Sequence, residues 1–132
     1  MTEARVEMGF EDRRTRFFTL WTFATLNYVY ADVVTLFDKS VTTTLSQTAL
    51  LGAAILVETA IAMVLLSRVL KYRPNRWANI IVGIINTVAV LVSLLVATPA
   101  LYYAFFATIE IATTIVIVWY AWTWRVSPKI RR

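Results

Sequence analysis

The sequence predicts an all-α integral membrane protein, a four-helix up-down-up-down bundle with both termini cytoplasmic. Three observations predict it. Apolar residues make up 59% of the 132-residue chain, against roughly 45–50% in ordinary soluble domains. They fall into four runs of more than about 20 residues each, enough at 1.5 Å per residue to cross about 30 Å of hydrocarbon. Of the thirteen Lys and Arg residues, all but Lys39 fall on one side of such a bundle.

Residues 1–16, MTEARVEMGFEDRRTR, are polar and mixed in charge, and suit a short surface helix or a mobile cytoplasmic arm. The first apolar segment spans about 17–37. The polar loop DKSVTTTLSQ follows, and its Thr44-x-x-Gln47 pattern suits a capping box for the second segment, about 45–70. The basic turn KYRPNR then ends that helix. Pro74 does not continue a helix, and Asn75 is a natural N-cap for the third segment, about 76–97. A short turn, TPA, offers Thr98 as cap and Pro99 as first helical residue of the fourth segment, about 99–124. Short turns make consecutive helices antiparallel. The domain plan is thus a cytoplasmic segment 1–16, a membrane domain 17–125 and a basic tail 126–132.

Charge sets the orientation. Arg5, Arg13, Arg14 and Arg16 precede the first segment. Arg68, Lys71, Arg73 and Arg76 lie at the second-to-third turn, and Arg125, Lys129, Arg131 and Arg132 in the tail. The positive-inside rule places that side in the cytoplasm. Trp21, Trp77, Trp119, Trp122 and Trp124 fall near the same interface, as belt anchors do. A rival reading takes DRRTRFF as a twin-arginine export signal cleaved after VYA at Ala31. Asn27, Tyr28 and Tyr30 make a poor signal core, and orientation already accounts for the arginines.

Composition excludes several chemistries. With neither cysteine nor histidine, the chain has no disulfide, thiolate nucleophile, Cys-ligated zinc, iron–sulfur cluster, His-ligated haem or His general base. No metal site and no cofactor is expected. The net charge of +5 follows from topology and anionic headgroups, and no basic stripe interleaved with aromatics points to nucleic acid.

Four polar residues interrupt the apolar runs at one depth. Asn27, Glu58, Asn86 and Glu110 each lie about ten or eleven residues from the outer end of their segment, roughly 15 Å at 1.5 Å per residue. That is close to the bilayer midplane, with one polar residue from each helix. Asp32 lies nearer the outer end. Glu58 is flanked at i±4 by Ala54 and Ala62, a small-residue stripe that admits a close neighbour. Asn79, Asn86 and Ser93 recur every seven residues and give the third helix one polar stripe. Thr113 and Thr114 follow Glu110 by about one turn. An ionised carboxylate at a helix centre costs on the order of 3 kcal/mol. At least one of the two glutamates is therefore expected to be protonated and hydrogen-bonded to Asn86, Asn27 or a threonine. Such a layer either glues helices together or forms a proton- or ligand-binding site built from Glu58, Glu110, Asn86, Asn27 and Asp32.

Three stretches, LNYVYADVVTLFD, VETAIAMVLLSRVLKYRPNRWANIIVG and TIEIATTIVIVWYAW, resemble a family of small bacterial four-helix membrane proteins classed as a domain of unknown function. The resemblance covers most of the chain after about residue 16. It implies four spans and the bacterial cytoplasmic (inner) membrane, and it assigns no activity or functional residue. A looser likeness to DoxX-like proteins rests on architecture. Two functions lead. One is the binding of a lipid or small apolar ligand at the midplane layer. The other is proton-coupled transport by a homodimer through Glu58 and Glu110. A structural or accessory subunit is a third reading. An intramembrane enzyme, such as an isomerase with paired carboxylates as acid and base, is a fourth. The absence of His, Cys and any nucleophile motif argues against the enzyme.

Overall fold

The computed structural model describes residues 3–39, 46–96 and 100–125. These form four helices: α1 (Glu3–Phe37), α2 (Gln47–Val69), α3 (Tyr72–Val96) and α4 (Leu101–Trp122). The α2, α3 and α4 helices are long and apolar enough to cross a membrane. The polar N-terminal segment is not separate, because α1 is a single helix of 35 residues. At 1.5 Å per residue it is about 52 Å long, more than a hydrocarbon core needs. Within its apolar half, Thr19, Thr22, Asn27 and Thr35 each donate to the carbonyl four residues back, at 2.8–2.9 Å.

The helix ends correct two expected caps. Ser46 caps α2, its Oγ accepting from the Ala49 amide at 3.2 Å; Thr44 lies outside the described residues. Asn75 is not a cap. Its amide donates to the Lys71 carbonyl at 2.9 Å, so α3 begins a turn earlier, at Tyr72. Pro74 is accommodated within the first turn, where an amide hydrogen has no intrahelical partner. The Asn75 side chain instead donates to the carbonyls of Ser67 (2.9 Å) and Leu70 (3.2 Å), satisfying the end of α2. Ala100 precedes α4 without a side-chain cap; Thr98, Pro99 and residues 126–132 lie outside the described residues.

The helices pack as a ring. The α3–α4 and α1–α2 contacts are the most extensive, with α1–α4 and α2–α3 completing the circuit. At Gly83 the α3 backbone comes so close to α4 that an added Cβ would lie 2.6 Å from Val118 Cγ2 and 3.6 Å from the Thr114 carbonyl oxygen. Across the ring, two side chains of α1 reach α3 with matched spacing. Trp21 Nε1 donates to Asn79 Oδ1 at 2.7 Å, and Tyr28 Oη donates to Asn86 Oδ1 at 3.0 Å. The seven-residue polar stripe of α3 is therefore an interior seam, with Asn79 and Asn86 fully buried.

One end of the bundle is tied by arginines. Arg13 donates to the Tyr120 carbonyl, and Arg76 to those of Ala121 and Trp122, all at 2.9 Å. Arg14 donates to the Leu70 carbonyl at 3.1 Å and pairs with Glu11 at 2.7 Å. These are the carbonyls a helix C-terminus leaves without partners, and cations there also complement the helix dipole. Trp124 folds back beneath α4 and is buried between Phe10, Phe17 and Tyr72, with ring centroids 5.1–5.5 Å away. Trp21 and Trp124 are thus core residues rather than interface anchors; Trp77, Trp119 and Trp122 do face outward.

Candidate functional site

Most polar groups in the bundle interior are paired. Asn86 uses both ends of its amide. Its Oδ1 accepts from Tyr28, and its Nδ2 donates to Thr59 Oγ1 at 3.2 Å and to the Val82 carbonyl at 2.9 Å. The residue so links α1, α2 and α3 with no donor to spare. Asn79 is equally committed, accepting from Trp21 and donating to Asn75 Oδ1 at 2.7 Å. Asn27 is half-buried and bonds only its own helix, at the Phe23 carbonyl.

Among the described residues the buried side-chain atoms left without a partner are Arg14 Nε, Thr25 Oγ1 and Ser67 Oγ. Glu110 is a different case. It is only 6% exposed, yet none of the described residues donates a hydrogen bond to its carboxylate. The threonines expected to do so are turned elsewhere. Thr113 donates to the Ile109 carbonyl at 2.7 Å, and Thr114 to the backbone carbonyl of Glu110 at 3.0 Å while accepting from Thr87 at 2.7 Å. Its carboxyl oxygens are not among the sealed, unpartnered atoms, because they open onto a cavity.

The carboxyl lines a cavity of about 200 Å³ among all four helices. Tyr28, Ala31 and Asp32 come from α1, Ala53 and Leu56 from α2, Ala89, Val90 and Ser93 from α3, and Tyr103 from α4. Glu110 is nine residues from Leu101, about 14 Å along the helix. Tyr103 and Ser93 lie close to the ends of α4 and α3, so the cavity reaches from mid-depth toward the end opposite the arginine cluster. Tyr103 Oη donates to Ser93 Oγ at 3.0 Å, and that hydroxyl donates to the Val90 carbonyl at 2.7 Å. Asp32 is exposed while lining the cavity, which places it at the rim.

The structure therefore gathers Glu110 and Asp32 at one cavity, with Asn86 beside it through Tyr28. Glu58 stands apart. The core-facing residues of α2 are Ala60, Met63 and Ser67. Glu58, two positions before Ala60, lies about 160° round the helix from it, and it is exposed together with Ala54. Depth on the helix axis placed Glu58 level with Glu110, but its direction is opposite. Tyr28 and Tyr103 are the site residues that depth counting missed. Tyr28 carried a signal, since it follows Trp21 by the same seven residues that separate Asn79 from Asn86.

Residues 6–129 match the model of a family of unknown function, DUF6326. The chain belongs to that family. No curated protein and no solved structure matches it, so the likeness to DoxX-like proteins rests on helix count alone. Membership in DUF6326 agrees with the resemblance carried by the three quoted stretches. Among the described residues no group of acidic side chains is arranged to hold a metal ion.

Proposed function

We propose that the chain is a four-span protein of the bacterial cytoplasmic membrane that binds a small ligand in the Glu110 cavity. One observation carries this reading: a buried carboxyl with no hydrogen-bond partner among the described residues faces a cavity that other polar side chains also line. A carboxyl serving as glue would be satisfied, as Asn86 is. Intramembrane ionisable residues mark substrate, ion or proton paths by default. The fourth span is α1, whose threonines and Asn27 are largely satisfied by its own carbonyls and so do not require water. Contacts between Arg14 and Leu70, Tyr72 and Trp124, and Tyr103 and Ser93 support the up-down-up-down course. The arginine cluster supports a cytoplasmic location for that end and both termini.

The test is thermal unfolding of the full-length protein with a panel of small solutes. A solute held in the cavity raises Tm by mass action, and the Ala89→Phe variant, which fills the cavity, loses that shift. Equal shifts in both proteins would contradict the reading.

A second reading, a homodimer that exchanges protons with its substrate, is favoured by Glu58. The α2 helix buries three residues, against seven in α3 and six in α4. Its outward face carries a carboxyl at mid-depth between two alanines, and a second α2 helix would remove that carboxyl from lipid. The sequence holds no cysteine, so an Ala62→Cys variant is a clean probe. A disulfide-linked dimer in native membranes supports the dimer, and an unlinked monomer under oxidation contradicts it.

A further inference from the structure

We propose that the ligand of the Glu110 cavity is a small organic cation, a protonated amine with a compact apolar body. The inference rests on the cavity being a binding site and adds the charge and size of what enters. Among the described residues the lining provides two carboxyls, two tyrosines and one serine, and no Lys or Arg. An anionic or phosphate-bearing ligand would meet like charge there with no counter-ion. A neutral apolar ligand would leave the buried Glu110 carboxyl as unsatisfied as before.

An ammonium group supplies what is missing. It brings three N–H donors to a carboxylate that receives none from the described residues. It also pairs the buried charge, and an ion pair with its hydrogen bonds made is far less costly away from bulk water than a lone ion. The neighbouring hydroxyls are not available to do this, since Tyr28 is committed to Asn86 and Tyr103 to Ser93. The aromatic faces of those tyrosines suit a cation. Asp32 at the exposed rim places a second negative group on the way in.

Size narrows the class. An enclosed cavity of about 150 Å³ accepts benzene, so one of about 200 Å³ that opens at the exposed Asp32 suits a body about the size of one ring with a short polar arm. Ala31, Ala53, Leu56, Ala89 and Val90 provide an apolar wall for such a body.

The experiment uses the full-length protein in lipid nanodiscs and two isosteric probes, benzylamine as the cation and benzyl alcohol as the neutral control. Titration calorimetry is expected to show benzylamine binding at least tenfold more tightly, with the preference abolished in Glu110→Gln. Asp32→Asn, at an exposed position where folding is not at stake, is expected to weaken benzylamine severalfold and leave benzyl alcohol unchanged. Equal affinities for the two probes in the wild-type protein would overturn the cation assignment and leave the cavity a binding site. Binding of neither probe would overturn the site itself.

Discussion

Tyr28 donates its hydroxyl hydrogen to Asn86 Oδ1 at 3.0 Å across the diagonal of the four-helix ring. The same amide continues to Thr59 on α2, so one buried asparagine joins three helices. Its counterpart a heptad earlier, Asn79, joins Trp21 of α1 to Asn75 and so to the end of α2. The two rungs are structural, and they define by contrast what is unusual about Glu110.

Asn86→Ala strands the Tyr28 hydroxyl in the interior and cuts the link to Thr59, whose hydroxyl keeps its bond to the Leu56 carbonyl. It is expected to cost about 1–3 kcal/mol in reversible unfolding in mixed micelles. Asn27→Ala removes only a bond to its own helix and is expected to fall within about 0.5 kcal/mol of the wild type. Equal losses in the two variants would mean that the midplane asparagines share one role.

Gly83 tests the α3–α4 contact. A methyl group there meets Val118 Cγ2 at 2.6 Å, and a β-branched side chain has few rotamers with which to yield. Gly83→Ala is expected to destabilise by about 1–3 kcal/mol, although alanine favours helix over glycine by about 1 kcal/mol. A Tm at or above the wild-type value would show that the helices separate freely at this crossing.

Arg76 holds the carbonyls of Ala121 and Trp122. Arg76→Gln is expected to lose about 1–2 kcal/mol from two charge-assisted bonds. Hydrogen exchange should quicken at the amides of residues 119–124 while those of residues 83–90 stay protected. Unchanged exchange at the end of α4 would reduce the arginine to a topology signal.

The seam of α3 was legible in the sequence because Asn79, Asn86 and Ser93 repeat with the helical heptad, and Glu110 was legible as a misfit in an apolar run. The direction of Glu58 was not. Residues around α2 are apolar on every side, since lipid and bundle interior select the same side chains, so no periodicity says which way a lone carboxyl points. The arginines near the turns read as charge, which orients a chain in a membrane. That they also complete particular helix ends depends on which carbonyls come within reach, and only packing decides that. Asn75 follows a proline at a turn, as an N-cap does, but the orphan carbonyls of α2 sit directly above it and draw its side chain away.

Carboxyl 13C resonances of the glutamates in the full-length protein, assigned with Glu110→Gln and Glu58→Gln, test the binding site most directly. On titration with benzylamine and, separately, benzyl alcohol, the Glu110 carboxyl resonance is predicted to shift along the binding isotherm of whichever probe binds, while that of Glu58 stays fixed. A probe that binds without moving the Glu110 resonance, or that moves Glu58 instead, would contradict the assignment of the cavity as the site.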